Sequence, residues 1–223
     1  MVVFRISLLL ILYFTEIPRS VGADDAEVKE GTPLGQPTDW FKTREMWRAK
    51  NYNYTNKSNV SEPLRLVIIH DTDSQRCHRF ILCASEMRLL QSYYHSNFQY
   101  DIPYNFLIGG DGRVYEGRGW NVAGAHTNGY NRCSLGLAFI GDYRDDWPCC
   151  TVVTELQQQR AKLLLEEGVK LGHLSPNFHV LGAKDLRNPR GPGTNLYRAI
   201  KGWSNYDHVN LYKNLTCEEI EQL

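Results

Sequence analysis

Runs of apolar residues along the chain predict several short β-strands. Residues 64–70 are rich in β-branched side chains and predict a buried strand that ends at His70. Residues 104–108 and 113–116 predict two short strands around a Gly-Gly-Asp-Gly turn, which is typical of a β-hairpin. A further apolar strand is predicted at residues 135–140, before a Gly-Asp pair. We therefore expect a sheet that contains these four segments.

Apolar residues at helical spacing separate the strands. They predict a helix over residues 80–95 and a long amphipathic helix that Thr154 caps and Gly172 ends. A short strand at residues 178–181 and a final helix at residues 195–203 follow. Strands that alternate with helices, together with a hairpin, predict an α/β fold with a mixed central β-sheet flanked by helices.

The N-terminal segment predicts export from the cell. A short basic start at residues 1–5 precedes an apolar run at residues 6–14, and small residues near position 22 offer a cleavage site. The apolar run is shorter than the roughly 20 residues that a membrane-spanning helix needs. We therefore predict a signal peptide at residues 1–22 and a secreted, extracellular protein whose mature chain has no membrane span. An uncleaved membrane anchor is the alternative.

Composition divides the remaining chain into three parts. Residues 23–39 are polar and contain glycines and prolines, so we predict a flexible leader. One folded domain is predicted at residues 40–204, which fits the usual size of a domain. A C-terminal tail is predicted at residues 205–223, and its docking on the domain is left open. At the start of the domain, Thr43 is expected to cap a short helix that carries Trp47.

Cysteines and glycosylation sequons agree with an oxidising exterior. Six cysteines lie in the predicted mature chain, and an even number suggests disulfides, although about 15 pairings are possible. The cysteine spacing does not indicate a structural zinc site. Three of the four Asn-x-Ser/Thr sequons fall within residues 51–61 and predict an exposed, glycosylated loop. The cysteines are Cys77, Cys83, Cys133, Cys149, Cys150 and Cys217, and the sequon asparagines are Asn53, Asn56, Asn59 and Asn214.

The charges of the chain balance. Lys and Arg total 25, and Asp and Glu total 25, so the formal net charge is zero. A nucleic-acid-binding protein normally has a basic excess or a basic stripe. The sequence has neither, so we expect no nucleic acid as a partner.

Four motifs occur in the order in which a known family has them. They are Val67-Ile-Ile-His70 with Thr72, the long run from Tyr100 to Trp120, Gly124-Ala-His-Thr-Asn-Gly-Tyr-Asn131, and Leu135-Gly-Leu-Ala-Phe-Ile-Gly141. With these motifs the chain resembles the peptidoglycan-recognition proteins, notably the insect members, and more distantly the bacteriophage amidase-type lysozymes. The resemblance covers about residues 40–204. It implies a mixed central sheet with packed helices and a groove that holds a muramyl sugar and its stem peptide.

The same resemblance implies one disulfide. Cys77 and Cys83 match the pair that members of the family place before their first long helix. Two buried free thiols are the alternative, and the pairing of the other four cysteines stays open.

Catalytic members of the family resemble a zinc amidase that cuts between the lactyl group of muramic acid and the first stem alanine. Such a site needs three protein ligands and an open position for water. His70 matches the first ligand, but Ala183 and Gly191 stand where the family has a histidine and a cysteine. Pro189 replaces a helper side chain, whereas Tyr104, which helps to orient the carbonyl in active members, is kept. The resemblance therefore implies that the chain holds no cofactor and is not an enzyme.

Other donors are not expected to replace the missing ligands. His173 and His179 match no ligand position of the family. Asp71 neighbours His70, but adjacent residues of a strand point to opposite faces of the sheet.

Eight residues match groove positions of the family and are our candidate ligand-binding residues. They are His70, Thr72, Tyr104, Arg118, Trp120, His126, Thr127 and Asn131. Trp120 and Thr127 could equally serve packing or turn support. Arg118 resembles the arginine that contacts the extra carboxylate of meso-diaminopimelic acid, for which a planar guanidinium is well suited. Because Phe98 and Gln99 replace the Gly-Trp pair usual in such members, the sequence indicates only a lean toward diaminopimelate-type peptidoglycan.

The sequence leaves three hypotheses about function. The first is a secreted, non-catalytic pattern-recognition protein of innate immunity, whose partners are bacterial peptidoglycan and other recognition or signalling proteins. The second is a decoy or regulatory interaction partner that no longer binds peptidoglycan, which Phe98, Gln99 and Pro103 favour. The third is a residual zinc-dependent N-acetylmuramoyl-L-alanine amidase.

Overall fold

A six-stranded β-sheet organises the part of the chain that the computed structural model describes, namely residues 37–52, 60, 62–145, 152–186 and 191–223. Several predictions of the sequence lie outside these ranges. They are the signal peptide at residues 1–22, the leader up to residue 36, the sequons at Asn53, Asn56 and Asn59, the cysteines Cys149 and Cys150, and Pro189.

The described elements alternate between strands and helices. The strands are β1 Phe41–Lys42, β2 Leu64–Asp71, β3 Phe106–Ile108, β4 Val114–Glu116, β5 Ser134–Phe139 and β6 Leu174–Gly182. The helices are α1 Pro37–Trp40, α2 Phe80–Phe98, α3 Glu155–Lys170, α4 Ala183–Leu186, α5 Thr194–Ile200 and α6 Cys217–Glu221.

Across the sheet the strands follow the order β1-β4-β3-β5-β2-β6. β3 and β4 pair antiparallel as the predicted hairpin, and all other neighbours are parallel. This mixed sheet with helices packed on it confirms the predicted α/β fold. β2 is a central strand, and His70 near its carboxyl end lies opposite Ala138 of β5. In open α/β sheets, ligand sites form at this edge of the parallel strands.

The two faces of the sheet are covered differently. On one face, Val67 and Ile69 of β2 pack in a core cluster with α3 and α5. Because successive strand residues alternate between faces, Leu66, Ile68 and His70 point to the other face. There α2 covers β3, β4 and β5, while residues 212–220 cover β2 and β6. His70 therefore lies between the part of the sheet that α2 covers and the part that residues 212–220 cover.

The predicted cap and end of helix α3 agree with the structure. The Thr154 side chain accepts a hydrogen bond from the Gln157 backbone, and the Gln157 side chain bonds back to the Thr154 backbone, which forms a capping box. Gly172, at a φ of 80°, follows the end of the helix. Strand β6 starts at Leu174, earlier than predicted, because Leu174 already pairs with Leu64 of β2. The register between the two strands shifts after this pair.

The predicted short helix after Thr43 is wrong. Residues 44–48 form a turn, and Arg48 has a φ of 60°, which a right-handed helix does not accommodate. The side chain of Trp47 is fully buried, and its indole N–H donates to the Glu116 carbonyl at 2.9 Å. Tertiary packing of this indole against β4 therefore determines the local backbone.

The C-terminal residues dock on the domain. Tyr206, Tyr212 and Ile220 are buried, and the Tyr130 hydroxyl donates to the Tyr212 carbonyl at 3.4 Å. Asn214 is exposed, so its predicted glycosylation is sterically allowed. The last residues thus form part of the folded structure and cover one end of the sheet.

Two disulfides are present among the described residues. Cys77 pairs with Cys83 at the start of α2, the bond that the family resemblance implies. Cys133 pairs with Cys217 across 84 residues and joins the start of β5 to α6. None of the described helices combines the length and the apolar character that a bilayer crossing requires.

Candidate functional site

Two histidines meet at the carboxyl end of β2. His70 Nε2 lies 3.2 Å from His126 Nδ1 and 3.2 Å from Thr127 Oγ1. His126 Nδ1 lies 3.1 Å from the same Thr127 hydroxyl. His70 and Thr127 are each only 3% exposed, so they form a floor, whereas His126 is partly exposed. We call these three residues the His-Thr cluster.

Two glycines create the space for the His126 ring. A Cβ on Gly136 of β5 would lie 2.3 Å from His126 Cδ2, and a Cβ on Gly124 would lie 2.2 Å from the same atom. Real Cβ atoms do not approach other atoms this closely. Glycine is therefore required on both sides of the ring, which explains why the loop and the strand each carry one at this point.

Asn131 shapes the loop that carries His126 and Thr127. Its side-chain oxygen accepts hydrogen bonds from the backbone N–H groups of both residues at 2.8 Å. Its own carbonyl accepts from the Gly124 backbone at 3.2 Å. One half-buried side chain thus fixes the position of two members of the His-Thr cluster.

Tyr104 completes the floor beside His70. The two rings lie 5.2 Å apart between centroids, and the Tyr104 hydroxyl donates to the Asp71 carbonyl at 3.4 Å. Burial raises the pKa of Tyr104 well above its ordinary value. The phenol is therefore a neutral donor at physiological pH.

Burial keeps the imidazoles of the cluster neutral. Loss of hydration lowers the pKa of His70 from 6.5 to about 3. The pKa of His126 is lowered well below its usual value, first by burial and then by the positive charges that His70 and Arg118 can carry. The floor therefore offers neutral hydrogen-bonding groups rather than cations.

Arg118 is held rigidly next to the cluster. Its Nε donates to the Ile102 carbonyl at 2.8 Å, its Nη1 to the Ala123 carbonyl at 3.0 Å and its Nη2 to the Asp101 carbonyl at 3.4 Å. The guanidinium also lies 5.9 Å from the centre of the Tyr100 ring. Arg118 thereby ties the segment before β3 to the loop that leads into His126.

Two candidate residues lie apart from the cluster. Thr72 stands just beyond β2, where its hydroxyl accepts from the Gly141 backbone at 3.0 Å and contacts the Ser74 hydroxyl at 2.7 Å. Trp120 packs against the core on the α3 side, with its ring centre 4.5 Å from Phe106 and 4.7 Å from His173. The structure thus brings together His70, Tyr104, His126, Thr127 and Asn131, with Arg118 beside them, whereas Thr72 and Trp120 lie apart.

Strand β6, beside His70, brings no second donor side chain to the imidazole. The register of β2 and β6 pairs Ile69 with Gly182, so Ala183 comes next to His70 and presents only a methyl group. Gly191 has no donor side chain either. Within the described ranges, no three His, Cys, Asp or Glu side chains converge as a metal site would need.

The other side chains that could bind a metal ion contact other groups instead. The Asp71 carboxylate accepts from the backbones of Tyr143 at 3.4 Å and Gly193 at 3.1 Å. His173 Nδ1 lies 2.6 Å from a Glu62 carboxylate oxygen, and His179 Nδ1 lies 3.2 Å from the Tyr212 hydroxyl. None of these contacts involves His70.

Sequence reasoning missed the role of Asn105, which is 2% exposed. Its backbone N–H donates to the Gly136 carbonyl, and its side-chain oxygen accepts from the Gly136 N–H, both at 2.9 Å. Its side-chain amide donates to the carbonyls of Gly119 at 2.9 Å and Val122 at 2.8 Å. The signal in the sequence is an amide inside an apolar strand motif, because a buried amide must find hydrogen-bond partners.

The chain is similar to known proteins in sequence and in fold. A sequence model of the family described as N-acetylmuramoyl-L-alanine amidase matches residues 60–194. A peptidoglycan recognition protein of Trichoplusia ni is 42% identical over 148 residues, which are 66% of this chain and 79% of that protein. The structure of bumblebee PGRP-SA is similar with a TM-score of 0.70 and 34% identity, over 75% of this chain and 97% of that one.

Some of the similar structures contain a ligand. One of them is peptidoglycan recognition protein-LE in complex with tracheal cytotoxin, a monomeric diaminopimelic acid-type peptidoglycan. The TM-score is 0.70 and the identity 32%, over 77% of this chain and 98% of that one. Sequence motifs, sheet topology and these similarities together show that the chain belongs to the peptidoglycan-recognition protein family.

Proposed function

We propose that this protein is a secreted receptor of innate immunity that binds the muropeptide stem of bacterial peptidoglycan and does not cleave it. The observation that carries the proposal is the neutral His-Thr cluster, with a methyl group at Ala183 where an amidase needs a metal ligand. The bound tracheal cytotoxin of the LE relative supports a muropeptide as the ligand.

The chemistry of the site supports binding without hydrolysis. An amidase of this type needs a zinc-bound water to attack the amide carbonyl. His70 alone cannot hold the metal, and its Nε2 is already within hydrogen-bonding distance of His126 and Thr127. The site therefore keeps the polar floor that recognises a peptide and sugar but has no nucleophile.

Diaminopimelate-type peptidoglycan is the preferred ligand in this proposal. Its stem carries an additional carboxylate, and Arg118 is the cation of the candidate set. Hydrogen bonds from Arg118 to three backbone carbonyls restrict the orientation of the guanidinium before any ligand arrives. Such preorganisation lowers the entropic cost of binding.

Co-sedimentation with insoluble peptidoglycan tests the binding function. The mature protein is mixed with diaminopimelate-type and with lysine-type polymer, and the fraction that pellets is measured. We expect pelleting with both and a stronger signal for the diaminopimelate type. A folded protein that pellets with neither would refute the proposal.

Asn131→Ala and Asn128→Ala form a matched pair for the same assay. Asn131→Ala removes the acceptor of two backbone N–H groups, which costs about 1–3 kcal/mol for each group left without a partner. Because the loop then loses the bonds that position His126 and Thr127, we expect binding to weaken by about tenfold. Asn128 is an exposed residue of the same loop, and its substitution should leave binding unchanged. Equal binding by both variants would remove the loop from the site.

Catalysis is tested on soluble muropeptides with added zinc chloride. Mass spectrometry should detect no released stem peptide above a protein-free blank. Release of the peptide that a chelator abolishes would establish the amidase hypothesis instead.

A regulatory interaction partner is the second candidate function. Tyr93 and Phe98 are 55% and 50% exposed and form, with Tyr94 and Tyr100, an aromatic group at the end of α2. An exposed aromatic group of this kind is typical of protein interfaces. Failure of the folded protein to bind any peptidoglycan would favour this function.

A further inference from the structure

The outer face of helix α2 carries four large apolar side chains that are exposed, namely Ile81, Leu82, Leu89 and Tyr93. Tyr93 follows Leu89 by four residues, and Leu82 and Ile81 precede it by seven and eight. Residues at these spacings lie on the same face of a helix. The four side chains therefore form one row, which we call the α2 stripe. Single exposed apolar residues are ordinary, but a contiguous apolar patch is typical of an interaction site.

The helix that carries the stripe is held firmly on the sheet. On its inner face Met87 and Leu90 are buried in a core cluster with residues of β3, β4 and β5. The Gln91 side chain accepts from the Lys50 backbone at 2.8 Å and donates to the Lys50 carbonyl at 3.0 Å. The Cys77–Cys83 disulfide restrains the first turn. Because the backbone under the stripe is already ordered, a partner that docks there has little ordering entropy to overcome.

Small polar side chains fill the remainder of the outer face. Glu86 is the charged residue of this face within residues 81–97, all of which the structure describes. Large apolar and small polar residues therefore alternate along α2, and the face is close to uncharged. The small residues are Ser85, Ser92, Ser96 and Asn97.

Two basic residues at the margins of this face contact the domain itself. Arg88 donates to the Trp47 carbonyl at 2.9 Å, and the His95 ring stacks on Tyr52 with 3.7 Å between the ring centres. A partner surface of strong charge, of either sign, thus has little to pair with on the outer face of α2. An apolar surface with few charges, such as the stripe of a second copy, is the better match.

The order of large and small residues is complementary to itself. In an antiparallel pair of α2 helices centred on Leu89, residues equally far before and after Leu89 face each other. A large side chain then meets a small one at each position, the carboxylate meets a hydroxyl, and the two leucines meet on the two-fold axis. The facing residues are Tyr93 with Ser85, Leu82 with Ser96, Ile81 with Asn97 and Glu86 with Ser92.

We infer that a second copy of this chain docks on the α2 stripe, and that the antiparallel pair of α2 helices forms the centre of a symmetric dimer. Residues 81–97 of one helix present a face of about 24 Å by about 10 Å, or roughly 240 Å² in projection. This is well below the roughly 800 Å² that each partner contributes to a standard stable interface. The dimer is therefore weak and reversible. It adds a self-association surface to the proposed receptor and needs no ligand.

Sedimentation velocity of the mature protein without peptidoglycan tests the association. We expect monomers at about 10 μM and a substantial dimer fraction at about 500 μM, as suits a weak interface. Leu89→Glu places two carboxylates on the two-fold axis and should abolish the dimer over this range. Leu171→Glu is the matched control, because Leu171 is 63% exposed and Leu89 61%, but Leu171 lies at the end of α3. It should associate as the unsubstituted protein does.

A cysteine on the two-fold axis tests the arrangement. Leu89→Cys brings two thiols together in the dimer, so air oxidation with a copper catalyst should join the chains through a disulfide. Ser96→Cys is the control on the same exposed face, because the two copies of this position are separated by about 21 Å along the helix axis. It should not cross-link above the level of the unsubstituted protein. Non-reducing gel electrophoresis measures both yields.

Three results would overturn the inference. The first is a folded protein that stays monomeric at every concentration. The second is a dimer that persists in Leu89→Glu, which would place the contact on another surface. The third is cross-linking of Ser96→Cys that equals that of Leu89→Cys. Thermal unfolding checks that the variants fold, and the cysteine pair decides the question if Leu89→Glu does not fold.

Discussion

Gly136→Ala tests directly whether the space beside Gly136 determines the position of the His126 ring. The added methyl group would lie 2.3 Å from Cδ2, 2.6 Å from Nε2 and 2.7 Å from Cγ of that ring. The strand cannot easily yield, because both backbone groups of Gly136 are hydrogen-bonded to Asn105. We therefore expect the imidazole to move out of its slot.

The cost follows from overpacking and lost contacts. Forcing an additional methyl group into a filled site costs about 1–3 kcal/mol. For a domain of this size each kcal/mol lowers the melting temperature by roughly 2–4 °C. About 2 kcal/mol, the middle of that range, therefore predicts a decrease of about 4–8 °C. Displacement of His126 would also break its contacts with His70 and Thr127, so peptidoglycan binding should weaken.

Calorimetric melting and the co-sedimentation assay measure the two effects. Gly202→Ala is the control, because the nearest atom to its new methyl group, the Ala199 carbonyl oxygen, lies 3.4 Å away. It should shift the melting temperature by no more than about 1 °C, as expected of a substitution without a steric mechanism.

A double variant isolates the cause. With His126→Ala already present the ring is absent, so adding Gly136→Ala should cost little further stability. Such non-additivity is the signature of two residues in direct contact. If Gly136→Ala lowers stability equally in both backgrounds, contact with the ring is not the reason and our description of the slot is wrong.

Two further predictions concern stability. Burial lowers the pKa of His70 from 6.5 to about 3. Between these two pH values the unfolded chain binds a proton that the folded chain excludes. The free energy of unfolding should therefore be constant above about pH 6.5 and fall toward pH 3. This site alone predicts a loss of about 2 kcal/mol between pH 7 and pH 5 by urea denaturation, which His70→Gln should reduce; equal stability at both pH values would contradict the buried neutral imidazole. The Cys133–Cys217 bond closes a loop across 84 residues. Replacing both cysteines with serine should therefore lower the free energy of unfolding by about 3–5 kcal/mol. An unchanged urea midpoint would show that other contacts hold the C-terminal residues in place.

Several site residues were predictable because a local motif carries them. His70 ends an apolar run that could only be a buried strand, and the hairpin turn follows from four small or polar residues in a row. The motif around His126 and Asn131 marks both residues as candidates. Their mutual distances were not predictable, because His70 and His126 are 56 residues apart in the chain.

The orientation of side chains was not predictable from the motifs. Trp120 belongs to the longest motif of the resemblance, yet its ring packs on the α3 side of the sheet with Phe106 and His173. Which way a side chain turns after a strand depends on the space that other elements leave. Trp47 makes the same point, since burial of its indole against β4 replaced the helix expected after Thr43 with a turn.

The sequence by itself determined what depends on near neighbours. Strand β2, the hairpin and the capped helix α3 follow from residue patterns within a few positions, because backbone preferences and caps act over one or two turns. Only the tertiary structure decided the meeting of His70 with His126, the glycine slot around the ring and the pairing of Cys133 with Cys217. These features require groups from distant parts of the chain to share one space, and the packing of the whole sheet determines which groups meet.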